Sequence, residues 1–174
     1  MPLTPLHMGP AMLVKAAAPR RFSIVTFGLT QIACDLEVLW FLVRWDPPLH
    51  RFWHTLAGVS IIAAVMAVAG KPLSDRIKAA WNRVAVRCRD ADITVPATTS
   101  RTAAISGALV GAYSHLLIDA LYHRDLLPFS PLARANPLRG LAPPWTIDAA
   151  CVALGVVGLA WYLAVEIRRR RLSS

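Results

Sequence analysis

At 174 residues, 56% hydrophobic and only 17% charged, the chain is too apolar for an ordinary water-soluble domain and the right length for a single helical unit, 1–174. Its net charge of +9 would suit nucleic acid, but the placement of the charge argues against that partner. Three Lys and Arg precede residue 22, seven lie from Lys71 to Arg101 and four form the tail Arg168–Arg171, against five in the intervening stretches. This alternation is the positive-inside pattern of a four-span membrane protein with both termini and the central loop cytoplasmic, its basic flanks on lipid headgroups.

With about 20 residues needed per span, the apolar blocks place transmembrane helices at 22–44, 50–70, 101–123 and 145–167. Ahead of them, Met8-Gly9-Pro10 opens a short helix that stops before Pro19 and cannot cross a bilayer. If it is re-entrant, with Lys15 snorkelling, about 13 residues lift His7 roughly 20 Å from the inner surface. The other reading of this stretch is a disordered cytoplasmic terminus.

Span one carries Asp35 and Glu37 in its outer half and ends at Trp45 and Asp46-Pro47-Pro48, an interfacial turn. Residues two apart point to nearly opposite sides of a helix, so either the helix unwinds locally there or only one of these carboxylates faces a given site. Asp35 is taken as the ligand, with Glu37 as a second ligand or general base.

Span two opens on His50-Arg51-Phe52-Trp53-His54, two imidazoles at a spacing that lets one helix chelate one metal. Arg51 can present a fork to an anionic substrate or anchor in headgroups. After Gly70-Lys71-Pro72, residues 73–89 alternate apolar and charged faces as an amphipathic helix lying on the cytoplasmic surface. Residues 90–100 form a loop.

Span three carries Gly107, Gly111, His115, Asp119 and His123, each four residues after the last. Positions so spaced share one helix face. The glycines admit a close neighbour, and the turns beyond them offer imidazole and carboxylate. His115 and Asp119 form a ligand pair, whereas His123 reads as an interfacial histidine. Residues 124–144 make a structured outer loop before span four. At 1.5 Å per residue, Asp35 and His115 fall within about 5 Å of the midplane, and His54 and Asp119 roughly 9–10 Å out. Ionisable groups are costly at such depth, so their agreement in level points to one intramembrane site. Cys34, Cys88 and Cys151 show no pairing pattern, and no disulfide is expected.

In order along the chain, Pro5-Leu6-His7-Met8-Gly9, Phe27-Gly28, Cys34-Asp35-Leu36-Glu37, His50-Arg51-Phe52-Trp53-His54-Thr55 and Ser114-His115-Leu116-Leu117-Ile118-Asp119 resemble the motifs of the YdjM-like inner-membrane-associated metal-dependent hydrolases. The resemblance covers nearly the whole chain. It implies a hydrolase whose ligands come from His7, Asp35, His50, His54, His115 and Asp119, with Glu37 alongside. Cys34 stands where proline is common in that family, and Glu37 replaces its usual second aspartate. The central histidines sit one residue closer than in many relatives, so either His50 or His54 is the matching ligand.

The functional expectation is an all-α polytopic enzyme that uses a divalent metal, zinc ahead of manganese or iron, to cleave an ester or phosphoester of a lipid or amphiphile. Glu37 or Asp119 would take the proton. No Gly-x-Ser-x-Gly elbow or phosphate-cradling glycine loop supports other hydrolase chemistry. The same residues also fit an ion- or proton-binding transporter, which a homodimer could complete, or polar contacts that only join helices.

Overall fold

A computed structural model describes residues 6–88 and 93–173. Pro5 and residues 89–92 lie outside them. The described residues are all-helical: after a 3-10 turn at Leu6–Met8 come α1 (Gly9–Ala17), α2 (Ile24–Val43), α3 (Leu56–Arg87), α4 (Arg101–Tyr122) and α5 (Pro144–Ser173), with a second 3-10 turn at Phe52–His54. All but α1 are long and apolar enough to cross a membrane.

Hydroxyl caps set where the spans begin. Ser23, Thr55 and Ser100 accept the first free backbone N–H groups of α2, α3 and α4, each contact worth about 1 kcal/mol. Small residues then decide the packing. α4 runs through the centre, with Ala103, Ala104, Gly107, Ala108, Gly111 and Ala112 buried. A Cβ on Gly107 would stand 2.5 Å from the Ser23 carbonyl oxygen, so only glycine lets α2 lie this close. Half of the α4 span is buried but 11% of the α5 span, which makes α5 the peripheral helix.

The N-terminal helix is part of the bundle. α1 packs along α5, where Gly9, Gly155 and Gly158 bring the two backbones together. Lys15 does not snorkel: its Nζ donates to the carbonyls of Pro19 (2.6 Å) and Phe22 (3.0 Å) and staples the reversal from α1 into α2. Ser23 N–H donates to the Ala103 carbonyl and ties that reversal to the start of α4.

Two expected boundaries shift. Span two starts at Leu56, not at residue 50, because Thr55 caps it and the preceding residues fold as a loop and 3-10 turn. At its other end α3 continues through Pro72 as one helix, so residues 73–87 extend the span and do not form a separate surface helix. The polar face of that extension is covered from the side. Ser74 and Lys78 each bond Thr99 (2.8 Å), Trp81 donates to the Ile93 carbonyl (2.8 Å), and Asn82 pairs with the Val95 backbone (2.8 and 2.9 Å). The continuous helix is about 48 Å long, longer than the hydrocarbon core.

Candidate metal centre

Two loops close one end of the bundle, 44–55 and 123–143. They meet where the Leu56 N–H donates to the Pro128 carbonyl at 2.7 Å. Beneath them the polar residues of α2, α4 and the N-terminal turn converge.

Asp35, His54, His115 and Asp119 each bring one ligand atom within 4.8 Å of the others. Nε2 of His115 stands 3.0 Å from Asp119 Oδ2, 3.3 Å from Asp35 Oδ1 and 3.3 Å from His54 Nε2, and His54 Nε2 is 3.6 Å from Asp119 Oδ2. A tetrahedral ion with bonds of about 2.0–2.1 Å sets its ligands roughly 3.3–3.4 Å apart. The group therefore has the dimensions of one metal site. His54 and His115 are fully buried and Asp119 nearly so. Asp35 is the open member, with a third of its side chain exposed.

The flanking hydrogen bonds fix which nitrogens face inward. Gln31 Nε2 donates to the Gly111 carbonyl (3.3 Å), which turns its amide oxygen toward His115 Nδ1. The proton of His115 therefore sits on Nδ1. His54 Nδ1 likewise donates to Glu37 Oε2 at 3.1 Å. Both rings then present Nε2 lone pairs to one another between two carboxylates. Such a set of acceptors is repulsive unless a cation or added protons lie among them, and the fit to a divalent ion is good.

The problem posed by Asp35 and Glu37 is solved without unwinding α2, which is helical throughout 24–43. The loop after α2 folds back over it. Asp35 reaches the cluster directly, and Glu37 meets it from the other side through His54. Glu37 also accepts the backbone N–H groups of Arg51 (3.0 Å) and Trp53 (3.0 Å), so it shapes the turn that carries His54.

His7 is not in a disordered terminus. It is buried with Nδ1 3.4 Å from His115 Nδ1 and Nε2 3.6 Å from Asp119 Oδ1. Its Nε2 is a buried polar atom with no hydrogen-bond partner among the described residues.

His50 and His54 do not chelate from one helix. They lie in the loop and turn before α3, rings edge-to-face at 4.9 Å, and belong to different groups. His50 Nδ1 is 3.0 Å from the Asp125 carboxylate, and its ring stacks on His123 at 4.1 Å. Burial first, and His50 beside it, push His123 down to about 4, so its imidazole is neutral at pH 7. His123 is thus part of the polar cluster and not merely interfacial.

Arg51 is committed to its own loop. Its guanidinium meets the Asp46 carboxylate (2.9 Å), the carbonyls of Asp46 and Pro48 and the face of Phe41. Asp125 went unread in the sequence analysis, although it lies only six residues beyond Asp119. What joins it to His50 is a contact between two loops, which no helical spacing reveals.

Neither protein-family models, curated proteins nor solved structures give any match to this chain.

Proposed function

We propose that the chain is a metal-dependent hydrolase of the inner membrane, YdjM-like as its motifs imply, acting on an ester or phosphoester of a lipid or amphiphile. The observation that carries this reading is the pair of Nε2 lone pairs, 3.3 Å apart, held inward by Gln31 and Glu37 between two carboxylates. Without added protons, those acceptors need a cation between them.

Asp35, His54, His115 and Asp119 would hold the ion, zinc before manganese or iron given mixed nitrogen and oxygen donors. A bound divalent cation would supply a water of lowered pKa there and polarise the scissile group. Glu37 positions His54, and its backbone contacts leave Asp35 or Asp119 to accept the proton.

The lipid assignment rests on where the cluster opens. Asp35 shares its face of α2 with Ile32 and Leu39, both more than half exposed. In a bilayer that face meets acyl chains. Beside it, Leu36, Glu37, Trp40, Phe41 and Trp53 line an aromatic groove suited to a chain whose headgroup enters at Asp35. The basic tail of α5 and the basic end of α3 are assigned to the cytoplasm and the cluster, with His7 ahead of α1, to the outer half.

The test is metal analysis of untagged protein in mild detergent, followed by turnover of phosphoester and carboxylester lipids in mixed micelles. At least one equivalent of metal that falls in folded His115→Ala, with metal-dependent turnover, is the expected result. Protein that takes up no metal even after reconstitution would sink the reading. Metal uptake into proteoliposomes without turnover would favour the transporter-like alternative.

A further inference from the structure

A second group of ligands stands beside the first. His50, His123 and Asp125 each offer a donor atom within 4.8 Å of the other two. They come from different segments: the loop before α3, the C-cap of α4 and the residue pair beyond it. An ordinary hydrogen-bonded pair accounts for His50 and Asp125 but not for His123. Its ring is stacked on His50, and its Nε2 is directed at Asp119 Oδ1 from 3.6 Å, beyond hydrogen-bond distance.

Asp119 lies between the two groups. Its Oδ2 faces His115 and His54, at 3.0 and 3.6 Å, while Oδ1 faces His123 and His7, each at 3.6 Å. A carboxylate whose oxygens address separate ligand sets has the placement of a bridge between two ions, which in two-metal sites lie about 3.5–4 Å apart. Like the first group, where a third of the Asp35 side chain is exposed, the second is open on one side. His50 is buried, but the Asp125 side chain is 34% exposed, so this position opens toward the loop end of the bundle and leaves room for water on the ion.

We propose that His50, His123 and Asp125 hold a second divalent cation, bridged to the first by the Asp119 carboxylate. This rests on the metal-centre reading above and adds a position to it. The two groups then form one dinuclear centre.

Zinc titration of untagged, chelator-stripped protein in mild detergent counts the positions, and manganese loading reports their separation by electron paramagnetic resonance. Wild type should bind two equivalents of zinc and show an exchange-coupled manganese spectrum. His123→Ala should bind one equivalent and give an uncoupled six-line signal. Asp125 also accepts the backbone N–H groups of Leu49 (3.0 Å) and His50 (3.3 Å), so Asp125→Asn is the milder second variant: it keeps an acceptor for the loop and removes the charge. It too should fall to one equivalent. One equivalent in wild type, unchanged by either substitution, would overturn the second position and leave the first intact. Two equivalents that survive both substitutions would overturn it equally. No binding in any protein would overturn both readings together.

Discussion

Glu37 Oε2 stands 3.1 Å from Nδ1 of His54, and the same carboxylate takes the backbone N–H groups of Arg51 and Trp53. One side chain on α2 thereby fixes the fold of the loop, the tautomer of His54 and the direction of its Nε2. Carboxylates that hold the far nitrogen of a ligating histidine matter to affinity nearly as much as the ligands do. Glu37→Gln should keep the turn but weaken metal binding about 10- to 100-fold. Competition against a chromophoric chelator measures this. Unchanged affinity would mean that His54 does not ligate.

Gln31 does the same for His115. It is fully buried, and its amide is oriented by the Gly111 carbonyl on α4. Gln31→Leu removes the acceptor for Nδ1 and leaves His115 free to rotate or change tautomer. The expected result is again a loss of about 10- to 100-fold in metal affinity, with helix content by circular dichroism unchanged. If Gln31→Leu binds metal as wild type does, the inward-facing tautomer is not set by this bond.

Periodicity made much of this legible. The run Gly107, Gly111, His115, Asp119 and His123 shows the face of α4 that α2 touches, and the levels of Asp35, His54 and His115 along their helices agree with their meeting. Two features lay beyond such reasoning. Residues 50–54 read as the first turn of a span because they run without Pro or Gly into the apolar stretch that follows. Thr55 caps α3 after them, and Glu37 draws their N–H groups away from any helix. Likewise Pro72 looked like a span end, but the contacts of Ser74, Lys78, Trp81 and Asn82 with residues 93–99 hold α3 straight past it. Both depend on partners distant in sequence, which local propensity does not register.

Metal removal should be visible in stability. A ligand that binds only the folded state adds about 2.7 kcal/mol at 100 times its Kd. Stripping with a chelator should therefore lower the melting temperature in detergent by several degrees, and zinc should restore it. His115→Ala should show a smaller response to the chelator than wild type. An equal chelator response in wild type and His115→Ala would place the stabilising ion elsewhere.

Gly58 offers a test of the turn that carries His54. A Cβ there would meet the backbone of Phe52 and come 2.6 Å from Trp53 Cα. Gly58→Ala must push the Phe52–His54 turn outward, at an overpacking cost of about 1–3 kcal/mol. Ala57→Val, one residue away on an exposed face, serves as control. Metal affinity should drop in Gly58→Ala and hold in Ala57→Val. A Gly58→Ala protein with full affinity would show that His54 does not depend on the turn.

His7 reaches the cluster only because α1 lies on α5. A Cβ at Gly158 would overlap the backbone around Leu13, so Gly158→Leu should lift α1 from its seat and withdraw His7 without touching any ligand. His7→Ala removes the imidazole and leaves α1 in place. If α1 serves to deliver His7, each change should weaken metal binding by a similar factor, and the double variant should be no worse than either alone. Independent effects would instead add in free energy. Affinities of the four proteins, measured with one chelator at one pH, decide between these outcomes. Additivity would assign the α1–α5 contact to general stability. Coupling would make it the device that brings the buried, unpartnered Nε2 of His7 to within 3.6 Å of Asp119.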